Sequence, residues 1–364
     1  MTDSPTWSHQ NPVRIVCAPL ETLAQHVNAH HVLLVTTPGF VKRGVVQRVT
    51  DALAAHQVTV WDGVKPNPDL QDLDAATATL RALDIGGVVG LGGGSALDAA
   101  KVLATTIASA AEPTLREVFR NKAVTDWAPR LPLVAIPTTS GTGAEVTPFA
   151  TVWDHAEQKK HSLTGDFVYP DVALLDATLT LTLGEEDTLY PALDAISHAL
   201  ESLWNKNGTP VSRALAFQAL ALSKEALPTA IGNPNNLEAR QKLQIASTLA
   251  GMAISQTKTA IAHAISYPLT SIYGVPHGLA CSFSLSAIIG TYLQQIDLGN
   301  QEKKIIIEIA ELLRSLNLNF RITKFIKNRE LWNVLRQSNS NERADNFILK
   351  NKMEEITIKV LNNG

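Results

Sequence analysis

The chain has 364 residues, 45% of them hydrophobic and 18% charged, with a formal net charge of -3 at pH 7, which describes a globular protein long enough for two cores. That balance gives no reason to expect nucleic-acid binding, and no apolar run is long enough to span a membrane. Two widely separated cysteines, Cys17 and Cys281, suggest no disulfide framework, and the polar start MTDSPTWSHQNPVR has no apolar segment of signal-peptide type, so reduced thiols and a cytoplasmic location are expected.

In chain order, residues 14–18, 31–36, 58–61, 86–90, 133–136 and 172–175 read as strands. Residues 41–55 and 70–83 read as helices, with another between the strands at 86–90 and 133–136. Near-continuous apolar strands alternating with helices predict a doubly wound parallel sheet covered on both faces, a Rossmann-like α/β domain over residues 1–180.

Two loops in this half carry chemistry. In VVGLGGGSALDAAK (88–101) a strand runs into Gly92, Gly93, Gly94 and Ser95 and a helix follows directly. Glycines let the backbone approach a phosphate, and free N–H groups at the helix start stabilise negative charge. Asp98 is expected in the first helical turn, complementing the helix dipole or bonding the loop's own N–H groups, a role more structural than cofactor-touching. After the next strand, IPTTSGTGAEVT (136–147) places Thr138, Thr139, Ser140 and Thr142 beyond a strand's carboxyl end, where ligands bind in open parallel sheets. The same hydroxyls could instead satisfy their own turn. Residues 151–162 then read as a hairpin with a charged tip.

From residue 181 the pattern turns helical, and residues 181–364 are expected to form an all-α domain. In LYPALDAISHALESLW (189–204), Leu189, Leu193, Ile196, Leu200 and Leu203 recur at helical spacing, while Asp194 and His198 fall four residues apart on one side. Such a pair alone is more often a surface ion pair or a capping accident than a ligand pair. Downstream, AHAISYPLTSIYGVPHGLA adds His263 and His277 in apolar surroundings. One carboxylate with three imidazoles suits Fe(II), Zn or a similar divalent ion and leaves room for a substrate oxygen. Residues 211–226, 237–250 and 257–266 read as further helices. After about residue 294 the composition becomes rich in Lys, Ile and Asn, which marks either a peripheral subdomain or a drift in usage.

With the glycine loop, PTTSGTGAEVT, DAISHALE and the PHG turn in this order, the chain resembles the iron-dependent (group III) alcohol dehydrogenases over residues 10–290. The resemblance implies a dehydroquinate synthase-like architecture, a Rossmann-like domain followed by a helical metal domain. It implies Fe(II) or Zn held by Asp194, His198, His263 and His277, and NADPH or NADH bound through Gly92, Gly93, Gly94, Ser95, Thr138, Thr139, Thr142 and Lys160, with Asp98 beside them.

Three positions depart from the common pattern. Thr37 stands where NAD-preferring members carry Asp, with Lys42 and Arg43 shortly after, so a 2′-phosphate meets no repulsion and NADP(H) is allowed. Tyr267 replaces a histidine often assigned to proton relay, leaving a phenol or water for that step. Lys258, in a stretch that is uncharged and Gly-rich in many relatives, is either an anion-binding point charge or an exposed helix-end lysine. The segments TPFATVWD, SLWNKNGTPVS and KTAIAHAISYPLT look like the phosphonoacetaldehyde reductase branch, implying a small anionic aldehyde reduced to a primary alcohol, and a homodimer is the common prior. Alternatives are a general aldehyde reductase of the same family, a sugar-phosphate cyclase, and a non-catalytic dinucleotide-binding protein.

Overall fold

The computed structural model describes residues 6–109, 114–123, 127, 130–337 and 343–362. Its residues fall into two compact units. Pro12–Thr139 and Ala144–Thr180 form the first; the segment up to Asn11, Ser140–Gly143 and the chain from Leu181 onward form the second.

The first unit is built on six parallel strands, β1 (Arg14–Cys17), β2 (His31–Val35), β3 (Gln57–Trp61), β4 (Gly87–Gly92), β5 (Leu133–Pro137) and β8 (Val172–Leu175), in the order β1-β8-β5-β4-β2-β3. Alternation splits the apolar side chains between two faces. Val32, Leu34, Val89, Leu91 and Ile136 pack with Leu20, Val49 and Leu53 on one side. Leu33, Val35, Val88 and Leu133 pack on the other, against α3 (Leu70–Leu80) and α4 (Gly94–Ala108). Chain order reverses between β2 and β4, whose paired ends Val35 and Gly90 lead directly into Thr37 and the glycine loop. A ligand crevice belongs at this switch point.

The helix expected over residues 41–55 is two short ones, α1 (Pro38–Lys42) and α2 (Val45–Ala52), because Gly44 at φ 74° turns the backbone into the left-handed region between them. The hairpin is β6 (Phe149–Asp154) and β7 (Lys159–Thr164), paired antiparallel. Arg120 on α5 (Leu115–Asn121) donates from Nε and Nη2 to Asp154 at 2.5 and 2.6 Å. That guanidinium holds the Asp154 carboxyl down at about 2. The pair therefore stabilises the fold above the ordinary carboxylate pKa, and the contribution disappears as pH falls from there through about 2.

The second unit is helical: α6 (Glu185–Leu203), α7 (Pro210–Gly232), α8 (Leu237–Thr257), α9 (Ile261–Tyr273), α10 (His277–Ser282), α11 (Leu285–Gln295), α12 (Asn300–Ser315), α13 (Leu318–Ile322), α14 (Asn328–Gln337) and α15 (Met353–Asn362). The α6 stripe Leu189, Leu193, Ile196, Leu200 and Leu203 is buried with Leu220, Leu227, Ala250 and Ile265. Ile306, Ile309, Leu313, Phe347 and Ile356 join the same cluster, so the Lys-, Ile- and Asn-rich stretch extends this core rather than forming a separate subdomain. Residues 257–266 are not one helix: α8 ends at Thr257, Lys258 turns to φ 62° and ψ 176°, and α9 starts at Ile261. Among the described residues no helix is long and apolar enough to cross a membrane.

Candidate metal centre

The loops at the carboxyl ends of β2, β4 and β5 converge within the first unit. Gly92 has φ 149°, and a Cβ there would lie 2.6 Å from that of Ala96, so only glycine lets the chain turn this tightly into α4. Thr138 N donates to Gly92 O at 3.0 Å, and a Cβ on Gly93 would meet Thr139 Oγ1 at 3.2 Å, which places the two loops against each other. Ser95 Oγ accepts from Asn67 N at 3.2 Å. Thr37 caps α1 from an extended conformation without a side-chain bond to the helix, and Lys42 and Arg43 are exposed beyond it. At the start of α4, Ala96 N and Leu97 N donate to Gly93 O at 3.0 and 3.1 Å, and a helix N-terminus of this kind favours a phosphate.

Asp98 opens the second turn of α4, beyond the reach of the dipole's end, and its carboxylate accepts from Thr151 N on β6 at 2.9 Å instead of from the glycine loop. Burial pushes its carboxyl pKa up, and its neighbours are Lys101 and Lys160. Lys160, on β7, lies over the Trp153 ring at 5.8 Å. Thr142 sits in the segment Ser140–Gly143, which is grouped with the helical unit. There the loop touches α6 and α8 so closely that a Cβ on Gly141 would lie 2.6 Å from Pro191 and one on Gly143 2.5 Å from Gly251.

In the helical unit Asp194, His198, His263 and His277 come together. The Oδ1 atom of Asp194 lies 3.5 Å from His198 Nε2, 3.4 Å from His263 Nε2 and 3.6 Å from His277 Nε2. Asp194 and His198 are one turn apart on α6, His263 comes from the first turn of α9, and His277 opens α10. A Cβ on Gly278 would stand 1.7 Å from the Tyr190 carbonyl oxygen, so α10 meets α6 backbone to backbone and brings His277 to Asp194. The His198 and His263 rings stack at 4.8 Å.

This cluster fits a cation. Asp194 Oδ1 and His263 Nε2 are buried and have no hydrogen-bond partner. The Nδ1 of His263 donates to Glu201 Oε2 at 2.6 Å, so the Nε2 lone pair of a neutral ring faces a carboxylate oxygen. Two acceptors in contact repel unless positive charge lies between them. Burial opposes charge on His263, but Cys281, Glu201 and Asp194 outweigh it and push its pKa well up, so the surroundings of this ring favour positive charge. Burial holds His198 down at about 4, so that ring is neutral and has a lone pair to offer. For ligands at 2.0–2.2 Å in tetrahedral angles the donor atoms stand roughly 3.4 Å apart, close to the separations seen here.

Two further residues belong to the centre although nothing in the sequence motifs singles them out as donors. Glu201 is fully buried; its Oε2 takes the His263 Nδ1 proton, the arrangement that fixes the tautomer and basicity of a ligating imidazole, and its Oε1 accepts the His263 backbone N–H at 3.1 Å. Its signal lies in the motif itself, three residues after His198 in DAISHALE. Glu201→Gln is expected to weaken metal affinity by about 10–100-fold with the helices intact, read by competition with a chelator under unchanged circular dichroism. Unaltered affinity would sink the role. The second is Cys281, whose ligand-capable Sγ lies with those of Asp194, His263 and His277, all within 4.8 Å of one another.

Tyr267 follows His263 by four residues on α9 and is half-buried. Lys258 is exposed. Its backbone is held by Lys258 N to Ile254 O at 2.8 Å and by Asn205 Nδ2 to Lys258 O at 3.1 Å, fastening it just after the end of α6 and five residues before His263. Its φ and ψ fall in a region that is essentially glycine's own.

Residues 12–177 match the family described as iron-containing alcohol dehydrogenase, and residues 188–345 match the Fe-containing alcohol dehydrogenase family, C-terminal. The chain is 39% identical to the phosphonoacetaldehyde reductase of Streptomyces viridochromogenes over 72% of its own length and 67% of that protein's. It is 34% identical to the probable alcohol dehydrogenase EutG of Escherichia coli (strain K12), over 73% and 67% respectively. The solved structure of sulfoacetaldehyde reductase from Bifidobacterium kashiwanohense in complex with NAD+ superposes with a TM-score of 0.89 at 28% identity, covering 98% of each chain.

Proposed function

The chain belongs to the iron-containing alcohol dehydrogenases, and on that premise we propose that it reduces a small anionic aldehyde to the primary alcohol with NADPH or NADH, its substrate being phosphonoacetaldehyde and its product 2-hydroxyethylphosphonate. The carrying observation is Lys258, a cation held five residues before His263 in a backbone conformation that costs about 1–3 kcal/mol for any residue but glycine. Strained backbone positions cluster at functional sites, which points to a task for this side chain. The relatives named for phosphonoacetaldehyde and sulfoacetaldehyde both act on small aldehydes with an acidic oxyanion, which supports the class.

Asp194, His198, His263 and His277 would hold Fe(II) or Zn, which supplies Lewis-acid polarisation of the carbonyl while the nicotinamide supplies hydride. Glu201 keeps the His263 lone pair aimed inward by taking the Nδ1 proton. The Lys258 ammonium neutralises the distal anion and fixes which way the aldehyde points, converting binding energy into orientation. Tyr267, with its phenol four residues beyond His263, delivers a proton to the new hydroxyl oxygen directly or through water. Gly92–Ser95, Thr138 and Thr139 receive the dinucleotide's phosphates and ribose. Thr37, followed by Lys42 and Arg43, leaves room and charge for a 2′-phosphate.

Oxidation of NADPH and NADH by the Fe(II)- or Zn-reconstituted protein, with phosphonoacetaldehyde, sulfoacetaldehyde and propionaldehyde side by side, tests this reading. One charge-assisted contact predicts a kcat/KM at least about tenfold higher for phosphonoacetaldehyde than for propionaldehyde. A preference for sulfoacetaldehyde would move the substrate to the sulfonate, and equal rates on all three would leave a general aldehyde reductase.

A further inference from the structure

Cys281 is fully buried on α10 one turn after His277, and its Sγ faces the centre. The thiol lies within hydrogen-bond reach of the ring without singling out one nitrogen: Sγ is 3.6 Å from His277 Nε2 and 3.8 Å from Nδ1. The nitrogen–sulfur edge of a zinc site with bonds of 2.0–2.1 and 2.3 Å is roughly 3.6 Å. Independently of the cysteine, Asp194 Oδ1 and His263 Nε2 are buried and unpartnered, and both belong to the group of donors that includes Sγ. Two pairs of candidate donors therefore stand one helical turn apart, Asp194 with His198 and His277 with Cys281, and Sγ lies within 4.8 Å of the donor atoms of Asp194, His263 and His277, a group that leaves out His198.

We infer that Cys281 supplies a thiolate ligand to the metal, a fifth protein donor beside Asp194, His198, His263 and His277. The bond forms from sulfur to metal as the thiol proton leaves to solvent, with no change in oxidation state. Exchanging a neutral or absent donor for a soft, negatively charged one biases the site toward zinc over Fe(II) and reduces the net positive charge facing the substrate. This inference rests on the metal-centre reading above.

The test uses the full chain carrying Cys17→Ser, so that Cys281 is the one thiol left of two. X-ray absorption of the zinc-loaded protein is expected to show a sulfur neighbour at about 2.3 Å beside nitrogen and oxygen neighbours, and the cobalt(II)-loaded protein a thiolate-to-cobalt charge-transfer band. Both signals are expected to disappear in Cys281→Ser with metal still bound. A nitrogen- and oxygen-only shell with no such band in the cysteine-containing protein overturns the ligand role and leaves the metal centre standing; failure to bind zinc or cobalt at all overturns both. The deciding spectra come from the cysteine-containing protein, so the test stands even if the serine variant misfolds.

Discussion

Asp194→Ala is expected to lower kcat/KM by roughly 10³-fold, the several kcal/mol that charge stabilisation at a metal centre contributes to a carbonyl reduction. Its Oδ1 is 3.4–3.6 Å from three imidazole nitrogens, so one substitution touches three of the candidate ligands. Burial disfavours its charge, yet the facing imidazoles of His198, His277 and His263 hold its carboxyl far below the ordinary range wherever they carry a proton. Loss of metal can be told from loss of fold by thermal unfolding with and without a chelator. A ligand present at 100 times its Kd stabilises the folded state by about 2.7 kcal/mol, and the parent protein is expected to lose that increment on chelation. The variant is expected to show no chelator response. A variant that keeps both the response and the turnover would remove Asp194 from the ligand set.

Lys258→Gly is expected to move stability and activity in opposite directions. Glycine adopts φ 62° and ψ 176° without steric cost, so the substitution relieves backbone strain and, after the extra unfolded-state entropy of glycine, raises stability by about 1 kcal/mol. The same change removes the anion's partner, and kcat/KM for phosphonoacetaldehyde is expected to fall about 10–100-fold while that for propionaldehyde stays within about threefold. Lys258→Ala separates the causes, because it removes the charge and keeps the strain. It is expected to match the glycine variant in activity and the parent in melting temperature. Equal losses on both aldehydes would make Lys258 an element of the chain path with no part in substrate choice.

These two residues show what a sequence does and does not make legible. The parallel sheet is readable because its strands are uninterrupted apolar runs, which only a sheet covered on both faces produces, and the glycine loop because three glycines between a buried strand and a helix have few other uses. Asp194 and His198 are visible as a pair through helical period, and His263 and His277 through their apolar surroundings. The break at Gly44 is hidden because the apolar spacing runs on through it, although the backbone there is left-handed. Cys281 lies four residues after His277, the same interval as Asp194 to His198, but a search for disulfides does not ask which helix face a thiol occupies. The strain at Lys258 has no signature in side-chain pattern at all, since a dihedral angle is set by the hydrogen bonds from Asn205 and to Ile254, which lie far apart in the chain.

The contact of Gly278 with the Tyr190 carbonyl bears on how this centre can be re-engineered. With no room for even a methyl group between α10 and α6, the spacing of the socket is a constant of the scaffold. A protein designer seeking a larger ion, or a wider berth for a bulkier aldehyde, gains nothing by shifting the helices and must instead exchange the donors themselves. Directed evolution starting from this chain should therefore collect its metal-switching substitutions at positions 198 and 281 and leave 190 and 278 untouched.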